Sequence, residues 1–293
     1  MKHIPVLKNE VLKFLAPKKG VFVDATVGLG GHTKAILKKC SNCRVIGLDW
    51  DCESLKKAKK NLAEFGERVK LVCRNFAQID EVLSELKIKK VQGILADLGI
   101  SSWQLETDRG FSFLKNAPLD MRISPELKIT AAQILNTASF GNLMMIFKTL
   151  AESPFARQVA RTILEERKKK KIETVDDFLK ILEKAVPLKI RVRSKKHFAT
   201  NFFRALRMAV NFELENLILF LKKAPSFLAI GGRLVVISFH SLEDRLVKHR
   251  FKKLAKTEKF KILTKKPIRP TEKEIEKNPR SRSAKMRAIE KIA

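Results

Sequence analysis

The sequence predicts an α/β fold: a Rossmann-like parallel sheet with an inserted helical subdomain between strands four and five. Three observations predict it. A glycine-rich turn, Asp24-Ala-Thr-Val-Gly-Leu-Gly-Gly-His32, stands between an apolar run and a helical pattern. A second apolar run, Val45-Ile46-Gly47-Leu48, ends in Asp49, 21 residues after Gly28. Strands and helices then alternate up to Asp97 and resume at Arg233, with about 135 residues between them.

The elements follow in order. Val21-Phe22-Val23 is β-branched and aromatic and predicts a strand over 21–25. Glycines in the turn after it permit φ > 0 and let a ligand approach the backbone. The helix over 32–39 then presents its unpaired N–H groups to that ligand. Further strands are expected over 44–49, 69–73 and 92–97, alternating with helices over 51–64 and 78–87.

The long gap reads as helical. Apolar residues recur at helical spacing over 142–150, 155–171 and 174–186, and Pro187 breaks the last pattern. Phe203, Leu206, Val210, Leu214, Leu217 and Leu221 predict one amphipathic helix over 199–222 that returns the chain to the sheet. Gly231-Gly232 precedes a fifth strand over 233–238, and Ser241-Leu-Glu-Asp244 is a capping-box variant that starts a helix. Strands near 259–264 and 284–291 complete the chain, with no internal repeats. The domain expectation is a core over 1–110, a helical insertion for substrate recognition over 111–200, and the rest of the core with a basic tail over 201–293.

Charge is the outlier in the composition. Lys+Arg number 61 against 31 Asp+Glu, a net charge of +30. Such an excess suits a protein that neutralises phosphates, although general lysine enrichment accounts for part of it. From Arg245 onward 18 basic residues face 5 acidic ones, so the tail alone carries +13. The four cysteines, Cys40, Cys43, Cys52 and Cys73, show no zinc-type spacing, so no metal and four free thiols are expected. No apolar leader opens the chain and no run approaches 18 apolar residues, which predicts a soluble protein of the reducing cytoplasm.

Ligands of open α/β sheets sit at the carboxyl ends of the strands. There the sequence gathers the 24–32 turn, Asp49, Arg74-Asn75-Phe76 and Asp97-Leu-Gly-Ile-Ser-Ser-Trp-Gln104. Asp49 is placed to accept from ribose hydroxyls. Phe76 can stack on an adenine or simply pack in the core. Asp97 ends a buried apolar strand, and a carboxylate there needs partners. The turn departs from G-x-G-x-x-G because Thr33 occupies the sixth position, which turns the reading from nicotinamide cofactors towards S-adenosylmethionine.

The chain resembles the bacterial small-subunit (16S) ribosomal RNA cytosine-N4 methyltransferases, the MraW type, over nearly its whole length. The likeness rests on His3-Ile-Pro-Val-Leu7, Asp24 to His32, Gly47-Leu-Asp-Trp-Asp51, Asp97 to Ser102, Arg109-Gly-Phe-Ser-Phe113, Pro118-Leu-Asp-Met-Arg122, Arg204-Ala-Leu-Arg207 with Val210-Asn211, Gly231 to Arg245, and Asn278-Pro-Arg-Ser-Arg-Ser283. It implies a class I methyltransferase sheet and S-adenosyl-L-methionine bound by Gly30, Gly31, His32, Asp49, Phe76, Asp97 and Gln104. The implied substrate is a cytosine of 16S ribosomal RNA near the decoding centre, with the small ribosomal subunit as partner. The chain departs from the family at His197-Phe-Ala-Thr-Asn-Phe-Phe-Arg204, where Pro usually follows the His, a basic residue stands at 201 and Gln replaces Arg204.

A cytosine amine is a weak nucleophile because its lone pair is conjugated with the ring. The chemistry needs in-line positioning and acceptors for the amine N–H bonds. Asp97, Ser101 and Ser102 are candidate acceptors, and His240 is a candidate proton shuttle or phosphate contact, with a purely structural role as the alternative. Asp120 and Arg122 either act at the site or pair internally. Amine methylation needs no cysteine nucleophile. Phosphate contacts are expected at Arg191, Arg193, Lys195, Lys196, Arg280, Arg282 and Arg287. The competing expectations are a non-catalytic RNA-binding assembly factor that keeps the fold, and a methyltransferase of small molecules or proteins. The chain can be a monomer or a homodimer.

Overall fold

The computed structural model describes residues 4–193 and 197–293, and the chain divides into two compact units. The first comprises Met1–Ser101 and Leu214–Ala293, and the second Ser102–Glu213. The second unit thus begins and ends outside the expected 111–200 insertion.

Seven strands build the sheet of the first unit: β1 Gly20–Asp24, β2 Cys43–Asp49, β3 Val69–Cys73, β4 Val91–Asp97, β5 Leu228–Ser238, β6 Phe260–Ile262 and β7 Lys285–Lys291. Their order is β3-β2-β1-β4-β5-β7-β6. The pairs β1–β2, β2–β3, β1–β4 and β4–β5 are parallel, while β7 runs antiparallel between β5 and β6. The chain moves outward from β1 to β3 and then returns to the other side of β1 with β4. That reversal opens a crevice at the carboxyl ends of β1 and β4.

The strands alternate their side chains between two apolar layers. Phe22, Val45, Leu95 and Val235 pack on one face with Val11, Ile36 and Leu37. Val23, Ile46, Ile94 and Leu234 pack on the other with Leu83, Phe220 and Val247. Both faces are covered, so the central strands are apolar throughout.

Several expectations are corrected. The helix foreseen over 199–222 is two helices, Thr200–Asn211 and Glu213–Lys223, because Phe212 takes a left-handed conformation at φ 51°. The helix after β5, Ser241–Ala255, is capped by His240 with Glu243, one residue earlier than the expected Ser241 box. The pattern over 142–150 resolves into a helix Phe140–Met145 followed by a π-helical turn Ile146–Leu150.

The cysteines are not free thiols. Cys40 pairs with Cys43 and Cys52 with Cys73, each pair with Cα atoms 5.4 Å apart. The second pair could not be read from spacing. It exists because the parallel register of β2 and β3 sets Cys73 opposite Asp49, and the helix that starts three residues later brings Cys52 within reach. Among the described residues no helix is long and apolar enough to cross a membrane.

In the second unit, helices Ala131–Thr137, Ala156–Lys169, Val175–Ala185 and Thr200–Asn211 enclose Leu135, Phe147, Val159, Phe178, Leu182, Phe202 and Phe203. Thr130 and Thr174 each cap a helix reciprocally with the residue three positions on, Gln133 and Asp177. The loop 109–123 is fixed before the helices begin. Asn211 is 1% exposed and donates to the carbonyls of Met121 at 2.7 Å and Arg207 at 2.8 Å. Its Oδ1 accepts from the Ile123 amide at 2.8 Å. Gly110, at φ +72°, allows the Pro118 carbonyl to approach where a Cβ would lie 2.5 Å away.

Candidate active site

The site of the first unit is built from the last residues of its parallel strands. Asp24 ends β1 and is fully buried. A lone carboxylate there would be costly, and the turn supplies its partners. The Thr33 hydroxyl donates to Asp24 Oδ2 at 2.7 Å and the Thr26 amide to Oδ1 at 3.3 Å. Burial raises the Asp24 carboxyl above the usual carboxylate range, and the nearby His32 opposes it. The Thr26 hydroxyl in turn accepts from the Asp97 amide at 2.7 Å. Through Thr26 the end of β1 therefore holds the end of β4 in place.

The glycine turn uses its freedom at two points. Gly30 caps the helix Gly31–Lys39 at φ 88°, packed so closely that an added Cβ would lie 2.9 Å from Leu62. Gly28 takes φ +53°, and a Cβ there would meet only the Ser101 Cβ, at 3.7 Å. The backbone at Gly28 thus borders open space on the side of Ser101, as close ligand approach requires.

Asp49 ends β2 and binds the turn across that spacing of 21 residues. Its Oδ2 accepts from the Gly28 amide at 2.7 Å and its Oδ1 from the Asp51 amide at 2.9 Å. Each carboxylate oxygen keeps a further lone pair. Burial raises the Asp49 carboxyl to about 6, against the lowering effect of these two amides. Next along, Asn75 caps the turn Phe76–Gln78 through the Ala77 amide at 2.9 Å. The Phe76 ring stands edge-on to Phe220 at 5.4 Å.

Asp97 and His32 close the arrangement. His32 is 5% exposed, and its Nε2 lies 3.5 Å from Asp97 Oδ2. Both ring nitrogens of His32 and Asp97 Oδ1 are buried with no hydrogen-bond partner. Buried polar atoms are almost always paired, so three such atoms on two neighbouring side chains are consistent with a polar ligand here. These unpaired polar atoms, the free lone pairs of Asp49 and the open backbone at Gly28 suit a polar ligand with several hydrogen-bonding groups.

The other expected residues fall elsewhere or take other roles. Ser101 is the last residue of the first unit. Ser102 and Gln104 lie on the helix Ser102–Glu106 of the second unit, where Gln104 is 4% exposed. His240 is a helix cap: its Nδ1 accepts from the Glu243 amide at 3.4 Å, and its Nε2 lies 3.2 Å from Glu243 Oε1. Asp120 and Arg122 form the internal pair, bidentate at 2.7 and 2.8 Å. Burial pulls the Asp120 carboxyl up, but the Arg122 hydrogen bonds hold it below the usual range.

Among the expected phosphate contacts, Arg280 and Arg282 are exposed on the turn Pro279–Ser283. Arg287 is corrected. It lies on β7, is 7% exposed, and pairs with Asp244 at 2.6 and 3.1 Å, so its charge is satisfied inside the unit. Arg191 stands over the Phe198 ring at 5.8 Å. Arg193 ends the helix Leu188–Arg193, while Lys195 and Lys196 lie outside the described residues. Sequence reasoning assigned no role to Thr26, Thr33 or Asn211. Thr26 stood inside the quoted turn and Thr33 directly after it, and an Asp at a buried strand end with two nearby threonines was their available signal.

Comparison with known proteins extends these observations. The model of the MraW methylase family matches residues 1–292. The chain is 47% identical over 294 residues to the Ribosomal RNA small subunit methyltransferase H of Thermotoga neapolitana, covering 99% of this chain and 96% of that one. It is 47% identical to the protein of that name from a Sulfurihydrogenibium species, with 100% of each chain covered. Identity to the Clostridioides difficile protein of that name is 44%, covering 99% of each.

Proposed function

The chain belongs to the MraW methylase family, and we propose on that premise that its strand-end site directs a methyl group to the exocyclic N4 amine of a cytosine near the decoding centre. It is a methyltransferase of small-subunit (16S) ribosomal RNA and uses S-adenosyl-L-methionine. One observation carries the chemistry: at the reversal point of the sheet His32 lies 3.5 Å from Asp97, and both side chains carry buried polar atoms without a hydrogen-bond partner. A non-catalytic assembly factor that still binds the cofactor would keep the same pair, and it is the relatives, all methyltransferases by name, that favour catalysis.

Gly30, Gly31, His32, Asp49, Phe76, Asp97 and Gln104 would hold the cofactor, which when bound supplies an activated sulfonium methyl. Asp49 accepts from the ribose hydroxyls while the Gly28 and Asp51 amides fix its orientation. Phe76 offers an apolar face for the adenine. Asp97, fixed by Thr26, is placed to orient the methyl donor or to accept an amine N–H as the nitrogen loses its conjugation; Ser101 and Ser102 are further acceptors. His32 Nε2 stands 3.5 Å from that carboxylate. His240 enters no step, since its ring faces Glu243.

The RNA footprint comprises Arg280 and Arg282 with Arg191, Arg193, Lys195 and Lys196. The enzyme acts in the cytoplasm on the small subunit or its precursor. Tritiated methyl transfer to small subunits, naked 16S RNA and tRNA, assayed side by side, tests the reading. Label at a cytosine N4 of 16S RNA is the expected result. Cofactor binding with no transfer to any of the three would overturn it in favour of the non-catalytic factor.

A further inference from the structure

We propose that the Cys52–Cys73 disulfide is a positioning element of the methyl-donor pocket, so that cofactor affinity depends on the oxidation state of this pair. The inference rests on the assignment of that pocket to Asp49 and its neighbours. It differs from that assignment in concerning two residues outside the proposed cofactor contacts.

The placement of the bond carries the inference. Cys73 is the last residue of β3 and stands in register opposite Asp49 on β2. Cys52 is the first residue of the helix Cys52–Asn61, three positions after Asp49. The segment between them is already knotted to Asp49. Asp49 Oδ1 accepts from the Asp51 amide, and Asp51 caps the helix through the Glu53 amide at 3.1 Å and the Ser54 hydroxyl at 3.2 Å. On the far side, the Arg74 amide donates to the Asp49 carbonyl at 3.1 Å, and Asn75 then sets the turn that begins with Phe76. The disulfide therefore bolts the segment bearing the ribose acceptor to the segment bearing Phe76.

The strand order shows why a bolt matters there. β3 is the outermost strand on its side and has β2 as its sole sheet neighbour, whereas β2, β1 and β4 each have two. The end of β3 is thus the site-bearing strand end least restrained by hydrogen bonds. A covalent link at that end removes motion that cofactor binding would otherwise have to arrest.

The other disulfide makes a built-in control. Cys40 and Cys43 are 4% and 0% exposed, lie three residues apart at the start of β2, and constrain a local turn away from the strand ends that form the site. Cys52 and Cys73 are partly exposed. A dithiol reductant therefore reaches them first: its thiolate opens the S–S bond, its second thiol displaces the mixed disulfide, and it leaves as its own cyclic disulfide. Two electrons and two protons pass to Cys52 and Cys73.

The test is calorimetric binding of S-adenosylhomocysteine by the full chain. The protein is first equilibrated with glutathione disulfide and then reduced with dithiothreitol, at a temperature where circular dichroism shows both forms folded. Alkylation and mass mapping report the state of each cysteine. Reduction of Cys52–Cys73 should weaken binding about three- to tenfold, the loss expected when one or two ligand-bearing side chains must be ordered on binding. The KM for the methyl donor should rise in step, with kcat unchanged. The Cys52→Ser/Cys73→Ser variant should show the weakened affinity with or without reductant, and Cys40→Ala/Cys43→Ala should behave as wild type. Equal affinity in the two redox states, or Cys52 and Cys73 remaining as thiols in the oxidising buffer, would overturn the proposal and leave the pocket assignment standing. No binding by the oxidised protein would instead overturn the pocket assignment, and this inference with it.

Discussion

The Gly28 amide donates to Asp49 Oδ2 at 2.7 Å, joining the glycine turn to the end of β2 in one hydrogen-bonded unit. The carboxylate proposed to receive the ribose thus also fixes the glycine turn. Loss of Asp49 removes an acceptor and loosens the cradle together.

Asp49→Ala should therefore cost more than a single ribose contact. Deleting a charged acceptor from a bound sugar costs about 1–3 kcal/mol, roughly five- to 150-fold in affinity. Asp49→Asn keeps an oxygen for one amide and should fall between wild type and Asp49→Ala. Calorimetry with S-adenosylhomocysteine on folded variants gives the order directly. Unchanged affinity in Asp49→Ala would show that the ribose lies elsewhere.

The raised Asp49 pKa predicts a pH dependence with opposite senses for folding and for binding. Burial lifts the carboxyl from 3.8 to about 6 in the folded chain, so folding favours the protonated form. That contribution to stability is complete below the unfolded value of 3.8 and is lost as pH rises through about 6. If ribose hydroxyls donate to the ionised form, as proposed, cofactor affinity should fall as pH drops below about 6, and binding there should take protons off the protein. Asp49→Asn should flatten this profile. An identical profile in the variant would assign the titration to another group.

How far the sequence reveals this molecule depends on the range of the interaction involved. The strand ends Asp24, Asp49 and Asp97 and the turn between the first two were legible, because apolar runs and glycine spacing are local signals. Phe212 was not, since its left-handed backbone interrupts a heptad-like apolar pattern that continues unbroken on either side. The Cys52–Cys73 bond and the Arg287–Asp244 pair were equally hidden. Each joins a strand residue to the first turn of a helix, 21 and 43 positions away in the chain, through tertiary packing that no local pattern records. A basic tail looks uniformly exposed in sequence, whereas alternation along β7 turns Arg287 inward.

Asn211 should prove the most sensitive polar position of the second unit. Replacing it with Leu leaves the Ile123 amide and the Met121 carbonyl buried without partners. Each orphan costs about 1–3 kcal/mol, so Asn211→Leu should lose roughly 2–6 kcal/mol of stability. Met121 is held at φ 60°, so the loop has little freedom to find new partners. Denaturant titration measures the loss. A variant as stable as wild type would mean that the 109–123 loop is held by Arg109 and the Asp120–Arg122 pair alone.

The basic tail gives a prediction that separates two kinds of arginine. Arg280 and Arg282 are exposed on one turn, whereas Arg287 is locked to Asp244 within the sheet layer. If the first two hold phosphates, replacing both by Ala should flatten the salt dependence of RNA binding by about one to two units in log–log slope, with cofactor affinity and melting temperature unchanged. Arg287→Ala should do the reverse. It strands the Asp244 carboxylate, whose side chain is 14% exposed, and breaking such a buried pair costs about 3–5 kcal/mol. The residual attraction of Lys285, 3.9 Å from Asp244, softens that cost. A salt slope altered by Arg287→Ala in a folded protein, and untouched by the double variant, would move the phosphate footprint from the turn to the strand.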